Sequence, residues 1–203
     1  MTQAEVVVVS LDVGGEALGA LAALLTPDER QRAARFVFER DRRRFITARA
    51  RLRQLLGARL GVAPESLQFV YNAHGKPALA RPQGARDLRF NLSHCEDVAV
   101  YAFADGAEVG IDVEALRVLP DADDVAMRFF SANERAAYQR LSLHERPQGF
   151  FNCWTRKEAF IKALGSGLSH PLDSFDSSFI PGWTLRSFVP GPGLVGALAV
   201  QAE

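Results

Sequence analysis

The sequence predicts an α+β fold built from two halves that follow one plan. Strand-like β-branched runs at 5–13 and 88–113 alternate with helical runs at 41–60 and 146–164. An internal repeat ties the halves together. Val9-Ser10-Leu11-Asp12-Val13 matches Val109-Gly110-Ile111-Asp112-Val113 at an offset of 100. Thr26 to Arg30 matches Ser131 to Arg135 at 105, and Thr47…Leu56-Gly57 matches Thr155…Leu164-Gly165 at 108. The constant order of these matches sets a join near residue 105, with an N-terminal half over 1–105 and a C-terminal half over 106–203. The interface between two such halves is a natural cleft for a ligand.

Each element has its own signal. The run 5–13 is short, β-branched and followed by Gly14-Gly15, so it reads as a buried strand. Residues 16–25 form a short apolar helix. Thr26-Pro27-Asp28-Glu29 is a capping box with proline at the first helical position, so a new helix opens there. From about Asp41 to Leu60 a long helix carries Phe45, Leu52, Leu55, Leu56 and Leu60 on one stripe, and Gly61 stops it. Residues 67–71 read as a strand, 72–77 as a turn, and 88–93, 98–103 and 108–113 as three successive strands. A helix over 121–130 precedes a second capping box, Ser131-Ala132-Asn133-Glu134, which opens a helix to about Leu141. The last long helix spans about Arg146 to Leu164 and ends at Gly165. Short strands near 174–180, 183–189 and 194–201 complete the chain.

Composition excludes several classes. With 203 residues the chain buries about 70% of its unfolded surface and needs no staples. Its 24 basic and 24 acidic residues cancel, which excludes a uniformly basic nucleic-acid binder. Cys95 and Cys153 are too few for a disulfide framework or a four-cysteine zinc site. No basic region precedes the early valines, as a signal peptide would require, and the apolar runs fall short of the roughly 20 residues of a membrane span. A soluble cytoplasmic protein is the default expectation.

Charge is unevenly placed. Between Arg30 and Arg53 ten arginines face only Glu39 and Asp41, a local charge of 10 − 2 = +8. The remainder of the chain therefore carries −8. Such a segment suits a phosphate-rich ligand or nucleic acid; a solvated helix face is the alternative. Only three of the 24 basic residues are lysines: Lys76, Lys157 and Lys162.

Two segments carry chemistry. On a strand, Val109, Ile111 and Val113 share one face, while Gly110, Asp112 and Glu114 share the other. The two acids are then about 6–7 Å apart at Cα. At an effective dielectric near 20 their charges repel by roughly 2–3 kcal/mol. A divalent cation between them relieves that repulsion, and hard oxygen ligands favour Mg2+; a half-exposed strand end with solvated acids accounts for the same pattern. On the last long helix Trp154, Glu158 and Lys162 fall on one face at i, i+4 and i+8. Glu158 and Lys162 form either an ordinary helix pair or a third carboxylate with a phosphate-neutralising cation. Ser93 and His94 alternate across a strand, so they do not face each other as a hydrolase pair would.

Together, GKP (75–77), FNLSH (90–94), VGIDVE (109–114) and WTRKEAFIKALGSGL (154–168) resemble the Sfp-type 4′-phosphopantetheinyl transferases over residues 26 to 175. All three lysines fall inside these motifs. The resemblance implies a pseudo-symmetric monomer of that family's duplicated α+β type, with coenzyme A bound between the halves. The reaction implied moves the phosphopantetheine arm to a serine of an apo acyl or peptidyl carrier protein, leaving 3′,5′-ADP. By this resemblance Asp112, Glu114 and Glu158 hold Mg2+. Glu158, directly or through a metal-bound water, helps deprotonate the serine, and Lys162 stabilises charge on the leaving phosphate. Lys76, Ser93 and His94 match positions that bind the 3′-phosphate and adenosine; Arg32 and Arg44 match basic positions near the phosphates. Lys157 matches a basic neighbour of the metal glutamate. No nucleic acid or membrane is implied.

One position departs from the family pattern: Glu29 stands where a basic residue is expected. The stretch from Val118 to Phe130 aligns with the region that docks the carrier in the family; its apolar residues form either a docking patch or a core helix, and Asp121, Asp123 and Asp124 sit oddly against carriers, which are usually acidic, though the basic first half offsets them. Two other classes remain as alternatives, a non-catalytic module that binds coenzyme A or a carrier protein, and a Mg2+-dependent nucleotide phosphohydrolase.

Overall fold

The computed structural model describes residues 4–80 and 87–202. The first half runs β1 (Glu5–Ser10), α1 (Gly15–Ala23), α2 (Pro27–Ala33), α3 (Glu39–Leu60), β2 (Phe69–Tyr71), β3 (Pro77–Leu79), β4 (Leu88–Cys95) and β5 (Val98–Asp105). The second runs β6 (Val109–Ala115), α4 (Ala122–Phe129), α5 (Ala132–Gln139), α6 (Arg146–Leu164), β7 (Trp183–Phe188) and β8 (Leu194–Gln201). One antiparallel sheet has the order β1-β5-β4 and the other β6-β8-β7. Each therefore sets the last strand of its half between the first and the penultimate one. The two sheets thus share one strand topology.

The register of the repeat differs from the sequence matches. The two helix-ending glycines are Gly61 and Gly165, both with φ of 67°, and they are 165 − 61 = 104 residues apart. Gly57 lies inside α3, where a Cβ would come within 2.8 Å of the Val62 carbonyl. The match of Gly57 to Gly165 is thus one helical turn out. Strand starts are also 104 apart, Glu5 against Val109. The match of Asp12 to Asp112 fails with it: β1 ends at Ser10 and leaves Asp12 exposed, whereas Asp112 is buried within β6.

Four layers result. Along β5, Ala99, Tyr101 and Phe103 face α3, packing with Leu52 and Leu56, while Val100, Ala102 and Ala104 face the second sheet. There they meet Val109, Ile111 and Val113 of β6 with Leu198 and Val200 of β8. The other face of the second sheet, through Ala197 and Ala199, packs on Ala159, Ile161 and Ala163 of α6. Alternation on β6 therefore turns its apolar residues to the core and Asp112 toward α6, as the pattern predicts.

Two local expectations change. The segment 72–77 is a turn whose end continues into β3, paired with β2 through Phe69↔Leu79 and Tyr71↔Pro77. Residues 174–180 form no strand. The Ser178 amide bonds Asp176 Oδ1 at 2.9 Å and the Ser177 amide bonds Glu134 Oε1 at 2.7 Å, so side chains satisfy this backbone in place of a ladder.

Candidate active site between the two halves

The site starts from a glycine. A Cβ on Gly110 would lie 2.0 Å from the Ala159 carbonyl oxygen and 2.4 Å from the Ala163 nitrogen. Only a glycine lets α6 approach β6 this closely. The approach brings Lys162 over the next acid on the strand. Its Nζ donates to Asp112 Oδ1 at 2.6 Å and to Ser93 Oγ at 2.9 Å, and Ser93 Oγ donates to Asp112 Oδ1 at 2.9 Å. Three elements, β4, β6 and α6, thus converge on one carboxylate oxygen. Asp112 Oδ2 is buried and has no hydrogen-bond partner among the described residues.

Negative charge accumulates here. Burial raises the Glu158 pKa above the usual carboxylate range; the neighbouring Asp112 and Glu114 carboxylates add to the rise, while Lys162 opposes it. Glu114 is paired at 3.1 Å with Arg117. Among the described residues no three His, Cys, Asp or Glu side chains are drawn together into a metal cage. The orphaned Asp112 oxygen, with the like charges of Glu114 and Glu158 nearby, has the chemistry of a single hard-cation ligand.

Beside this cluster opens a cleft of about 310 Å³, walled by Arg32, Arg44, Phe45, Arg49 and His94 among others. Arg32 lies over the Phe45 ring at 5.3 Å, and Arg44 is held by Asp97 at 2.8 Å. His94 keeps one side to solvent. Partial desolvation lowers its pKa, and the positive charges of Lys162 and Arg44 lower it further, so the neutral imidazole is favoured. The structure brings Arg32, Arg44 and His94 to this cleft, and Ser93, Asp112 and Lys162 to the cluster next to it.

Two predicted contacts stand elsewhere. Lys157 is fully buried. Its ammonium bonds Glu134 at 2.7 Å and the Leu172 and Phe175 carbonyls at 2.7 and 2.8 Å. All three protons are used, so the expectation that Lys157 meets the coenzyme is corrected: it anchors the segment after α6. Lys76 donates to Glu108 at 2.8 Å and to the Ala163 carbonyl at 2.5 Å, tying the β2–β3 turn to the end of α6.

The unusual Glu29 is explained. It is buried, accepts the Thr26 amide at 3.0 Å and Arg53 Nε at 2.8 Å, and lies 3.5 Å from Arg49. Arg49 was not singled out from sequence, yet it walls the cleft and leaves a buried Nη1 without a partner among the described residues. Its signal was its place one helical turn after Phe45, on the buried side of α3.

An α+β fold with an arginine-lined cleft, in which Arg32, Arg44 and Arg49 outnumber Asp41 and Glu96, near a carboxylate cluster suits an enzyme that handles phosphorylated substrates. Known proteins narrow it. A family model described as "4′-phosphopantetheinyl transferase superfamily" matches residues 108–191, and one described as "4′-phosphopantetheinyl transferase, N-terminal" matches residues 15–105. The chain is 37% identical over 201 residues to 4′-phosphopantetheinyl transferase HetI of Nostoc sp., covering 95% of this chain and 85% of that protein. It is 31% identical over 153 residues to 4′-phosphopantetheinyl transferase Sfp of Bacillus subtilis, covering 75% and 66%. It is 28% identical over 165 residues to the human L-aminoadipate-semialdehyde dehydrogenase-phosphopantetheinyl transferase, covering 77% and 53%. The chain belongs to the 4′-phosphopantetheinyl transferase superfamily and is an enzyme of that kind, acting with coenzyme A on carrier proteins.

Proposed function

We propose that this enzyme moves the phosphopantetheine arm of coenzyme A onto a serine of an apo acyl or peptidyl carrier protein in a Mg2+-dependent reaction. The observation that carries the reading is the meeting of Ser93, Asp112 and Lys162 beside the cationic cleft. Arg32, Arg44, Ser93 and His94 would receive the nucleotide end of coenzyme A, and Lys76 would join them after leaving Glu108. Asp112, Glu114 and Glu158 would hold Mg2+, which when bound neutralises pyrophosphate charge as a Lewis acid.

Chain residues do the rest. The serine oxygen attacks the phosphorus that carries the pantetheine arm, and the bond from that phosphorus to the bridging oxygen of 3′,5′-ADP breaks. Glu158, the carboxylate on the face of α6 that carries Lys162, would accept the serine proton. Lys162 supplies a fixed ammonium where charge builds on the departing phosphate.

The remaining features fit this reading. Asp112, Ser93 and the cleft are all supplied by a single copy, so a monomer would suffice for the reaction. The two family matches meet between residues 105 and 108, which supports a division into halves there. No helix among the described residues is long and apolar enough to cross a membrane, and both cysteines are free, as suits the cytoplasm. On the stretch from Val118 to Phe130, Val118 and Met127 are exposed at 82% and 51% among the exposed Asp121, Asp123 and Asp124, and would offer apolar contacts to a carrier helix.

Intact mass spectrometry of an apo carrier protein after incubation with the enzyme, coenzyme A and Mg2+ tests the proposal. A gain of one phosphopantetheine unit that EDTA abolishes is expected. No gain on any of several carriers, with coenzyme A still bound, would overturn it.

A further inference from the structure

β4 and β6 lie side by side but belong to different sheets, and no backbone ladder joins them among the described residues. Side chains take its place. Alternate residues of β4 reach across in order: Arg89 pairs with Glu108 at 3.0 Å, Asn91 Oδ1 accepts the Ile111 amide at 3.0 Å, and Ser93 Oγ donates to Asp112 at 2.9 Å. The order of partners shows that the two strands run the same way. Only Asn91 among these three grips the main chain of β6.

The chemistry of an edge strand explains why an amide is needed. β6 is the outer strand of its sheet, so alternate N–H groups point away from β8. A buried backbone N–H must find an acceptor. Asn91, itself only 5% exposed, supplies one to Ile111, the residue immediately before Asp112. An apolar side chain would fill the space and leave that N–H unpaired.

We propose that Asn91 is a positioning residue for the transfer reaction: through the Ile111 amide it sets β6 against β4 in the register that lets Ser93, Asp112 and Lys162 meet. Its side-chain bond runs to the Ile111 main chain, and it acts through the Ser93–Asp112 contact. The inference rests on the transferase reading above.

The test is a double-mutant cycle on the full-length enzyme, with kcat and the KM for coenzyme A measured against one apo carrier protein. Melting temperature is recorded for every variant. Asn91→Ala and Ser93→Ala should each raise that KM by about tenfold, the scale of one lost buried hydrogen bond. The double variant should be no worse than the poorer single variant by more than about twofold, because both changes remove one arrangement. If Asn91→Ala does not fold, Asn91→Ser, whose hydroxyl is too short to reach Ile111, replaces it in the cycle. A merely structural residue would lower the melting temperature and leave the KM of the folded enzyme unchanged, or its effect would multiply with that of Ser93→Ala; either result overturns the proposal. Absence of transfer by the wild-type enzyme would instead count against the transferase reading itself.

Discussion

The Lys162 ammonium on α6 lies 2.6 Å from the buried Oδ1 of Asp112 on β6, so the carboxylate at the centre of the site is neutralised by the chain itself. Removing the ammonium leaves a buried charge uncompensated. For Lys162→Ala a loss of about 1–3 kcal/mol is expected, below the full penalty of a buried pair because the lysine is 31% exposed. Transfer should fall by about a hundredfold or more, as for other fixed charges at a developing anion. Added Mg2+ should raise the melting temperature of this variant more than that of wild type, since the cation then occupies Asp112. Equal Mg2+ effects on both proteins would contradict that account.

Glu158 sets a pH dependence whose sign is fixed by its environment. Burial first, then the Asp112 and Glu114 carboxylates, raise its folded pKa above the unfolded value. The folded state therefore binds the Glu158 proton more tightly. The stability this group contributes is present below the unfolded pKa and is lost as pH rises through the folded pKa. In EDTA, wild type should become less stable as pH climbs from the ordinary glutamate range, and Glu158→Gln should flatten this slope. The same variant should be more stable at neutral pH yet lose transfer by about a hundredfold or more. A slope unchanged from wild type, or steeper, would show that another group is responsible.

Gly110 predicts a sharp steric effect. A methyl group there meets helix backbone at 2.0 and 2.4 Å, and backbone cannot swing aside as a side chain can. Gly110→Ala should cost about 3 kcal/mol or more and should lower transfer by moving Lys162 from Asp112. Gly14→Ala, with nothing within 4 Å, serves as the control and should stay within about 0.5 kcal/mol. Denaturant melts of both variants decide the matter.

Lys157 and Lys162 lie five residues apart on α6 and should respond oppositely. Lys157→Met strands the buried Glu134, whose carboxylate pKa is now held down by the ammonium and by Ser131 and Ser177 against the effect of burial. A loss of about 3–5 kcal/mol is expected. The KM for coenzyme A of the molecules that still fold should be unchanged. A raised KM without loss of stability would return Lys157 to the cleft.

Much of this arrangement was legible in the sequence because it rests on local rules. Alternation put Asp112 opposite Ile111, helical spacing aligned Glu158 with Lys162, and both capping boxes opened helices where expected. What escaped depends on contacts between distant segments. Lys157 is adjacent to Glu158 in sequence, but a step of one residue on a helix turns it by about 100°, here into the core beside Phe175. Nothing local announces that Asn91 would serve the amide of Ile111, since the contact exists only once two sheets pack. The strand expected at 174–180 failed for a similar reason: carbonyls of Leu172 and Phe175 are taken by Lys157.

Glu29 supplies the last test, because it joins a departure from the family pattern to a structural cause. Its carboxylate sits against Arg53 and Arg49, both nearly inaccessible to water. A basic residue at 29 would face two buried guanidinium groups in place of one carboxylate. Glu29→Lys should therefore prevent folding or cost about 4 kcal/mol or more, whereas Glu29→Gln, which keeps an acceptor for Arg53, should cost about 2 kcal/mol. If the position serves phosphate binding instead, Glu29→Lys would lower the KM for coenzyme A with little change in melting temperature. The geometry argues for the first result: Glu29 Oε2 already accepts both the Thr26 amide and Arg53 Nε, which ties the start of α2 to the middle of α3 and so holds Arg32 and Arg44 on the two walls of one cleft.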